Sequence, residues 1–222
     1  MRSMVFSADE ARALWWGDKT QDRRRVRIRK PLPAEAEQGV RLPENESRRR
    51  TIEHCPFGQP GSPVRVREPF QVYAVYPDTI LLRYKAHSVD SWTESLVRWP
   101  RTQESGVVDT AELDAMRLPE GRFLSATQMP PWATRMTLVL GAIRLERLQA
   151  VYADEAAINA EGLRPEDLRG PDNPEDPFRA RWTRGDPRRE EVFRTNPWVY
   201  VLDFEVQRHV RMTSDLDSQE ER

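Results

Sequence analysis

With 222 residues, 38% of them hydrophobic and 32% charged, and a formal net charge of −1, the chain can bury one core with excursions but cannot hold a polyanion by bulk charge. Any nucleic-acid site has to come from local segregation of charge. A single cysteine, Cys55, excludes an internal disulfide and a multi-cysteine zinc site, and no stretch approaches the roughly 18 apolar residues of a membrane span. MRSMVFSADEARALWWG carries acidic residues where a signal peptide has its apolar run, so a cytoplasmic location is expected.

The first predicted element is a short helix over 8–16. Ser7 and Glu10 are spaced as a capping box, Ala11, Leu14 and Trp15 share one face, and Gly17 suits a left-handed cap. Residues 24–30 alternate, with Val26 and Ile28 between Arg25, Arg27 and Arg29, which predicts a strand with apolar side chains inward and arginines outward. Residues 31–62 lack periodicity and read as a long loop. Alternation returns at 63–76, predicting one or two strands around Pro69, and ILLRYKA at 80–86 predicts another. Residues 101–122 read as a polar insertion. MTLVLGAIRLERL at 136–148 is the strongest strand pattern, with Gly141 as a candidate bulge. DEAAINAEGL at 154–163 predicts a short helix capped by Asp154 and followed by Gly162. Residues 164–190, rich in Pro, Asp and Arg, read as a further insertion, and 196–210 as a closing strand entered through Pro197.

These elements predict an α+β fold, mostly β, in the form of a compact barrel with short helices and long loop insertions. One domain is expected over 1–212, with insertions at about 31–62, 101–122 and 164–190 and a polar tail at 213–222 expected to be disordered.

Five blocks in order resemble the ASCH domain, a PUA-like β-pseudobarrel, in its larger prophage-encoded form. They are SADEARALWWGDKTQDRR (7–24), which resembles the opening helix and GxKTxTxR motif, then CPFGQPGSPVRVRE (55–68), MPPWATRMTL (129–138), LERLQAVYADEAAINAEG (145–162) and NPWVYVLDF (196–204). The resemblance implies a cleft beside the first helix and the strand after it. Relatives in the wider group bind RNA or modified nucleobases. Some small ASCH members resemble amidohydrolases that remove an acyl group from the exocyclic amine of cytidine, and others are described as ribonucleases. In the small amidohydrolase a lysine and a threonine of the motif act with a glutamate from the helix before the last strand. The matching positions here are Lys19, Asp22 and Glu161, so the catalytic threonine position holds an aspartate. A threonine hydroxyl can act as a nucleophile once a base takes its proton, and an aspartate cannot repeat that role. Asp22 would instead pair with Lys19 and keep it protonated, or form a carboxylate pair with Glu161 that activates water or holds a cation. Thr20, on a strand, would point to the opposite face.

The resemblance favours a cleft role for Lys19 over a solvated turn lysine. Asp22 stands equally between a site role and a salt bridge. Glu161 reads as a site residue ahead of a plain last-turn helix residue. Arg23, Arg24, Arg25, Arg27, Arg29 and Lys30 form a basic strand whose reading is phosphate contact along one edge, against a charged edge strand that resists aggregation. Arg135 is placed to reach a phosphate or to cap a strand end. Arg67 and Glu68 line the cleft or form a structural ion pair. Trp132 is a candidate pocket wall, whereas Trp198 reads as core. Of the adjacent Trp15 and Trp16, one is core and the other exposed. His54 and Cys55 read as a loop histidine and a packed thiol, with no metal site and no cofactor expected.

The first functional expectation is a nucleic-acid or modified-nucleobase binding protein of a phage in its bacterial host, with RNA, DNA or a modified nucleoside as partner. The alternative is an amidohydrolase on N-acylated cytidine or a related base. A third reading is a phage protein that binds a host protein through its insertions. No membrane partner is expected, and the sequence leaves the oligomeric state open.

Overall fold

The computed structural model describes residues 1–26, 46–77, 79–87, 96–100, 116 and 122–209. The chain divides into two compact units. The first takes in Met1–Trp16, Pro63–Leu138 and Val206–Arg222, and the second Gly17–Ser62 and Val139–Glu205.

In the first unit, β1 (Arg2–Val5) pairs in parallel with β3 (Pro63–Arg67), matching Met4 with Val66. Helix α1 (Ala8–Trp16) follows β1 and begins in the predicted capping box. The Ser7 backbone N–H donates to Glu10 Oε2 at 2.8 Å, and the Glu10 N–H donates to Ser7 Oγ at 3.3 Å. Leu14 and Trp15 are buried while Trp16 is 58% exposed, as adjacent helical positions require. The strand order continues from β3 to the start of β7 (Met136–Arg147) and the end of β8 (Trp198–Arg208). A separate antiparallel sheet has the order β4 (Phe70–Val75), β5 (Thr79–Tyr84), β6 (Leu96–Pro100). Its inward side chains, Phe70, Val72, Ile80, Leu82, Tyr84 and Val97, pack with Met129 and Ala133 into one core.

The second unit takes the remainder of β7 and β8 and adds β2 (Gln21–Arg25) at the sheet end. β2 is antiparallel to β8, with Gln21 opposite Asp203 and Arg23 opposite Val201. Leu148, Val151, Ala157, Ile158, Phe178, Phe193, Val199 and Val201 form its core. Helix α3 (Glu155–Ala160) starts where predicted: the Asp154 carboxylate accepts from the N–H groups of Ala156 and Ala157. Gly162 follows with φ of 70°, a left-handed backbone that favours glycine.

The structure is thus α+β, dominated by strands, with short helices. The described strands form open sheets rather than a closed barrel. Two expected loops contain helices. α2 (Glu46–Glu53) lies within 31–62, and α4 (Pro177–Thr183) and α5 (Pro187–Arg194) lie within or across the end of 164–190. Both α4 and α5 open on Asp-Pro. The aspartate caps and the proline occupies the first turn, where a missing N–H costs nothing, so these prolines start helices rather than break them. The basic strand lies earlier than the alternation suggested, and 27–30 fall outside the described residues. So do 31–45, nearly all of 101–122, and the tail expected to be disordered.

Asp176 organises the segment before α4. Fully buried, it accepts from Tyr152 Oη at 2.6 Å and from the N–H groups of Arg169, Gly170 and Arg179 at 2.8, 3.1 and 2.9 Å. Asp176→Ala is expected to cost about 2 kcal/mol, because it removes a helix cap and strands buried donors. A lowered urea midpoint at constant slope would register the loss. An unchanged midpoint would show that the segment finds other acceptors.

Candidate functional site: a buried ionic cluster

Three short elements of the second unit bring the motif residues together. Lys19 forms an isolated antiparallel bridge with Glu161, the residue that caps the C-terminus of α3. The Thr20 N–H donates to the Ala160 carbonyl at 2.9 Å, and the Thr20 carbonyl accepts from Phe204 N–H at 3.0 Å. This backbone stitching fixes the turn between Gly17 and β2, and with it the side chain of Lys19. Its Nζ donates to Glu161 Oε2 at 2.7 Å and lies 3.0 Å from Asp22 Oδ1. Lys19 is fully buried, and Asp22 and Glu161 are nearly so.

The cluster extends through residues on both faces of β2. Side chains two apart on a strand share a face. Accordingly Arg24 Nε donates to Asp22 Oδ2, and Arg23 Nη1 donates to Gln21 Oε1 at 2.7 Å. Arg23 Nη1 also donates to Glu161 Oε1 at 2.7 Å, and Arg23 Nη2 to Glu146 Oε2 at 3.2 Å. Arg144 joins Glu146 Oε1 and Asp203 Oδ2, each at 2.5 Å. The result is a chain of strictly alternating sign: Asp203, Arg144, Glu146, Arg23, Glu161, Lys19, Asp22, Arg24. Its charges cancel, which is what permits so many ionised groups at low exposure. Burial pushes the Asp22 carboxyl up, but the charges of Arg24 and Lys19 and the hydrogen bonds from both outweigh it, holding the group below the usual carboxylate range.

Lys19, Asp22 and Glu161 therefore meet, although 142 positions separate the lysine from the glutamate. Of the expected basic edge, Arg25 is exposed and Arg24 is a quarter exposed. Arg23 departs from the outward alternation: its side chain is 1% exposed and committed to carboxylates, so it is not an exposed phosphate ligand. Arg27 and Arg29 lie outside the described residues. Thr20 is exposed. Gln21, Arg144, Glu146 and Asp203 had no place in the sequence reading. The available signal was the two-residue spacing that sets Gln21 beside Arg23 on one face.

Arg135, Arg67, Glu68 and Trp132 belong to the first unit. Arg135 is 1% exposed and bonds Glu68 side-on, Nε to Oε1 and Nη2 to Oε2, both at 2.8 Å. Its guanidinium carbon lies 4.5 Å from the Trp15 ring centre and 4.2 Å from that of Tyr84. It forms a structural ion pair rather than a surface phosphate contact. The pairing suggested for Arg67 with Glu68 goes to Arg135 instead, and Arg67 Nη2 donates to the Thr127 carbonyl. Trp132 is partly buried against the core of the three-stranded sheet.

Cys55 is a buried free thiol and His54 is exposed. Among the described residues, no group of three or more His, Cys, Asp or Glu is placed to hold a metal ion, and no helix is long and apolar enough to cross a membrane. No family model matches the chain, nor does any curated protein or solved structure match it significantly.

Proposed function

We propose that the chain is a nucleic-acid or modified-nucleobase binding protein of PUA-like ASCH type, in which Lys19, Asp22 and Glu161 meet a base edge and the strand after them meets phosphates. The observation that carries this reading is the convergence of Asp22 and Glu161 on Lys19 Nζ, at 3.0 and 2.7 Å. A base edge presents donors and acceptors side by side. Glu161 and Asp22 are acceptors suited to an exocyclic amine or ring N–H, and Lys19 is a donor suited to a ring carbonyl. Every one of these groups already has a protein partner, so a base would enter by exchanging contacts with the lysine rather than by filling a vacant charge. Arg24 and Arg25 supply the cations for the backbone.

Fluorescence anisotropy with single-stranded and duplex RNA and DNA tests this. Binding is expected to weaken with salt, and Arg25→Ala to reduce the salt slope by about 1. Failure of all four to bind at about 50 mM salt would sink the reading.

One observation favours a second reading, hydrolysis of an N-acylated base: the lysine–glutamate pair that the resemblance assigns to that chemistry is in contact here. Lys19 donates to two carboxylates, however, an arrangement that suits an ammonium better than a proton-accepting amine. Acetylcytidine incubated with the protein separates the readings. Release of cytidine that Lys19→Ala abolishes supports hydrolysis. Activity gained only in Asp22→Thr would mean that the aspartate has displaced it.

A further inference from the structure

Behind Glu161 lies a closed ring of five side chains. Arg23 Nη1 donates to Gln21 Oε1 at 2.7 Å, and Gln21 Nε2 donates to Asp203 Oδ1 at 2.8 Å. Asp203 Oδ2 accepts from Arg144 Nη1, Arg144 Nε donates to Glu146 Oε1, and Glu146 Oε2 accepts from Arg23 Nη2, closing the ring. The five residues come from β2, β7 and β8, neighbours in the sheet of the second unit. Both carboxylates use both oxygens and the glutamine uses both ends of its amide, so each member limits the rotation of the next. Arg23 Nη1 is shared with Glu161 Oε1 at 2.7 Å, which joins the ring to the motif residues.

We infer that Arg23 is a positioning residue whose guanidinium, oriented by Gln21, Glu146 and the Asp203–Arg144 pair, fixes one oxygen of Glu161 and presents the other to Lys19 and to whatever base replaces it. This rests on the base-binding reading and deepens it. Arg23 stands in a run of arginines that looks like a phosphate-binding edge, but it works from behind the site. A carboxylate held at one oxygen by a rigid planar cation has its remaining lone pairs aimed, and groups that orient metal-binding side chains in the same way change affinity by roughly tenfold or more. Lysine at this position keeps the charge but cannot reach Gln21, Glu146 and Glu161 with a planar fork.

The test uses the whole chain with Arg23→Met, Arg23→Lys, Asp203→Asn and Glu161→Gln. Both arms of the ring from Asp203, through Gln21 and through Arg144 and Glu146, meet Glu161 by way of Arg23, so its variant disturbs the ring without touching the motif. Two probes are used, acetylcytidine and a single-stranded RNA. Arg23→Met is expected to weaken both roughly tenfold, with Arg23→Lys recovering part of the loss, and to cost nothing further in a Glu161→Gln background. The salt slope for RNA should be unchanged, whereas loss of a phosphate contact lowers it by about 1. A lowered slope, or an undiminished loss in the Glu161→Gln background, would overturn the inference. The carboxylate carbon NMR signal of Glu161, identified by its absence in Glu161→Gln, gives a readout without ligand. It should move in Arg23→Met and in Asp203→Asn. If the wild type binds neither probe, the base-binding reading falls and the NMR signal alone decides the positioning. An unmoved signal in both folded variants overturns it.

Discussion

Lys19→Met is expected to destabilise the protein by about 3 kcal/mol, near the lower end of the range for breaking a buried ion pair by removing one partner. The size follows from what remains. Lys19 is fully buried between two carboxylates, so its loss leaves two buried charges each short of one cation. The residual partners moderate the effect, since Glu161 keeps Arg23 and Asp22 keeps Arg24. Adding Glu161→Gln should therefore recover part of the loss, because a neutral amide needs no cation. Urea denaturation measures each variant, and equal midpoints for Lys19→Met and wild type would mean that the cation contributes nothing net. The acid limb carries independent information. Asp22 has a folded-state pKa below its usual 3.8. It therefore contributes stability that is fully present above that value and lost as pH falls through the lower folded value. Removing Lys19 removes one of the two cations that hold it down. Acid unfolding of Lys19→Met should then begin at a higher pH than in wild type, and a coincident acid limb would remove Lys19 from the account of Asp22.

Fold and site were legible to different depths, and the difference has physical causes. Helix α1 could be read because its start is local: Ser7 and Glu10 are three apart and bond each other. β7 could be read from an apolar run too β-branched and too regular for a loop. α4 and α5 could not, because a segment rich in Pro, Asp and Arg reads as an insertion, although an aspartate cap with proline in the first turn is a helix start. β6 was missed because LVRWP is short and owes its strand conformation to its neighbour, pairing along its length with β5. The meeting of Lys19, Asp22 and Glu161 was expected only through resemblance, since no local rule brings residues 19 and 161 into contact. The ring around Arg23 lay beyond that, because it depends on the order β7, β8, β2, which puts Arg144 and Glu146, Asp203, and Gln21 and Arg23 on neighbouring strands. An arginine reads the same in sequence whether solvent or a carboxylate surrounds it. That is why Arg23 and Arg135, both buried, were expected at a phosphate.

Arg135→Met is expected to be the more damaging change, at about 4 kcal/mol, because among the described residues no second cation pairs with Glu68 to support the stranded charge. Glu68 is 1% exposed and gives both oxygens to this one guanidinium. The same group lies between the rings of Trp15 and Tyr84, so its removal also takes away two desolvated cation–π contacts. Tyr84 is itself fixed at its hydroxyl, donating to the Ala133 carbonyl at 2.6 Å and accepting from Trp99 Nε1 at 3.1 Å, so the ring cannot readily move to fill the gap. Two further variants separate charge from shape. Arg135→Lys retains the cation but loses the planar fork and the stacking, and should lie between wild type and Arg135→Met. Glu68→Gln combined with Arg135→Met removes the buried charge and leaves only the cavity, and should recover a substantial part of the loss. If Arg135→Lys proves as stable as wild type, charge alone explains the pair and the two rings serve as ordinary core. If the double variant is no better than Arg135→Met, packing of the guanidinium between the rings is the larger contribution, and Glu68 is held by its surroundings without needing a cation.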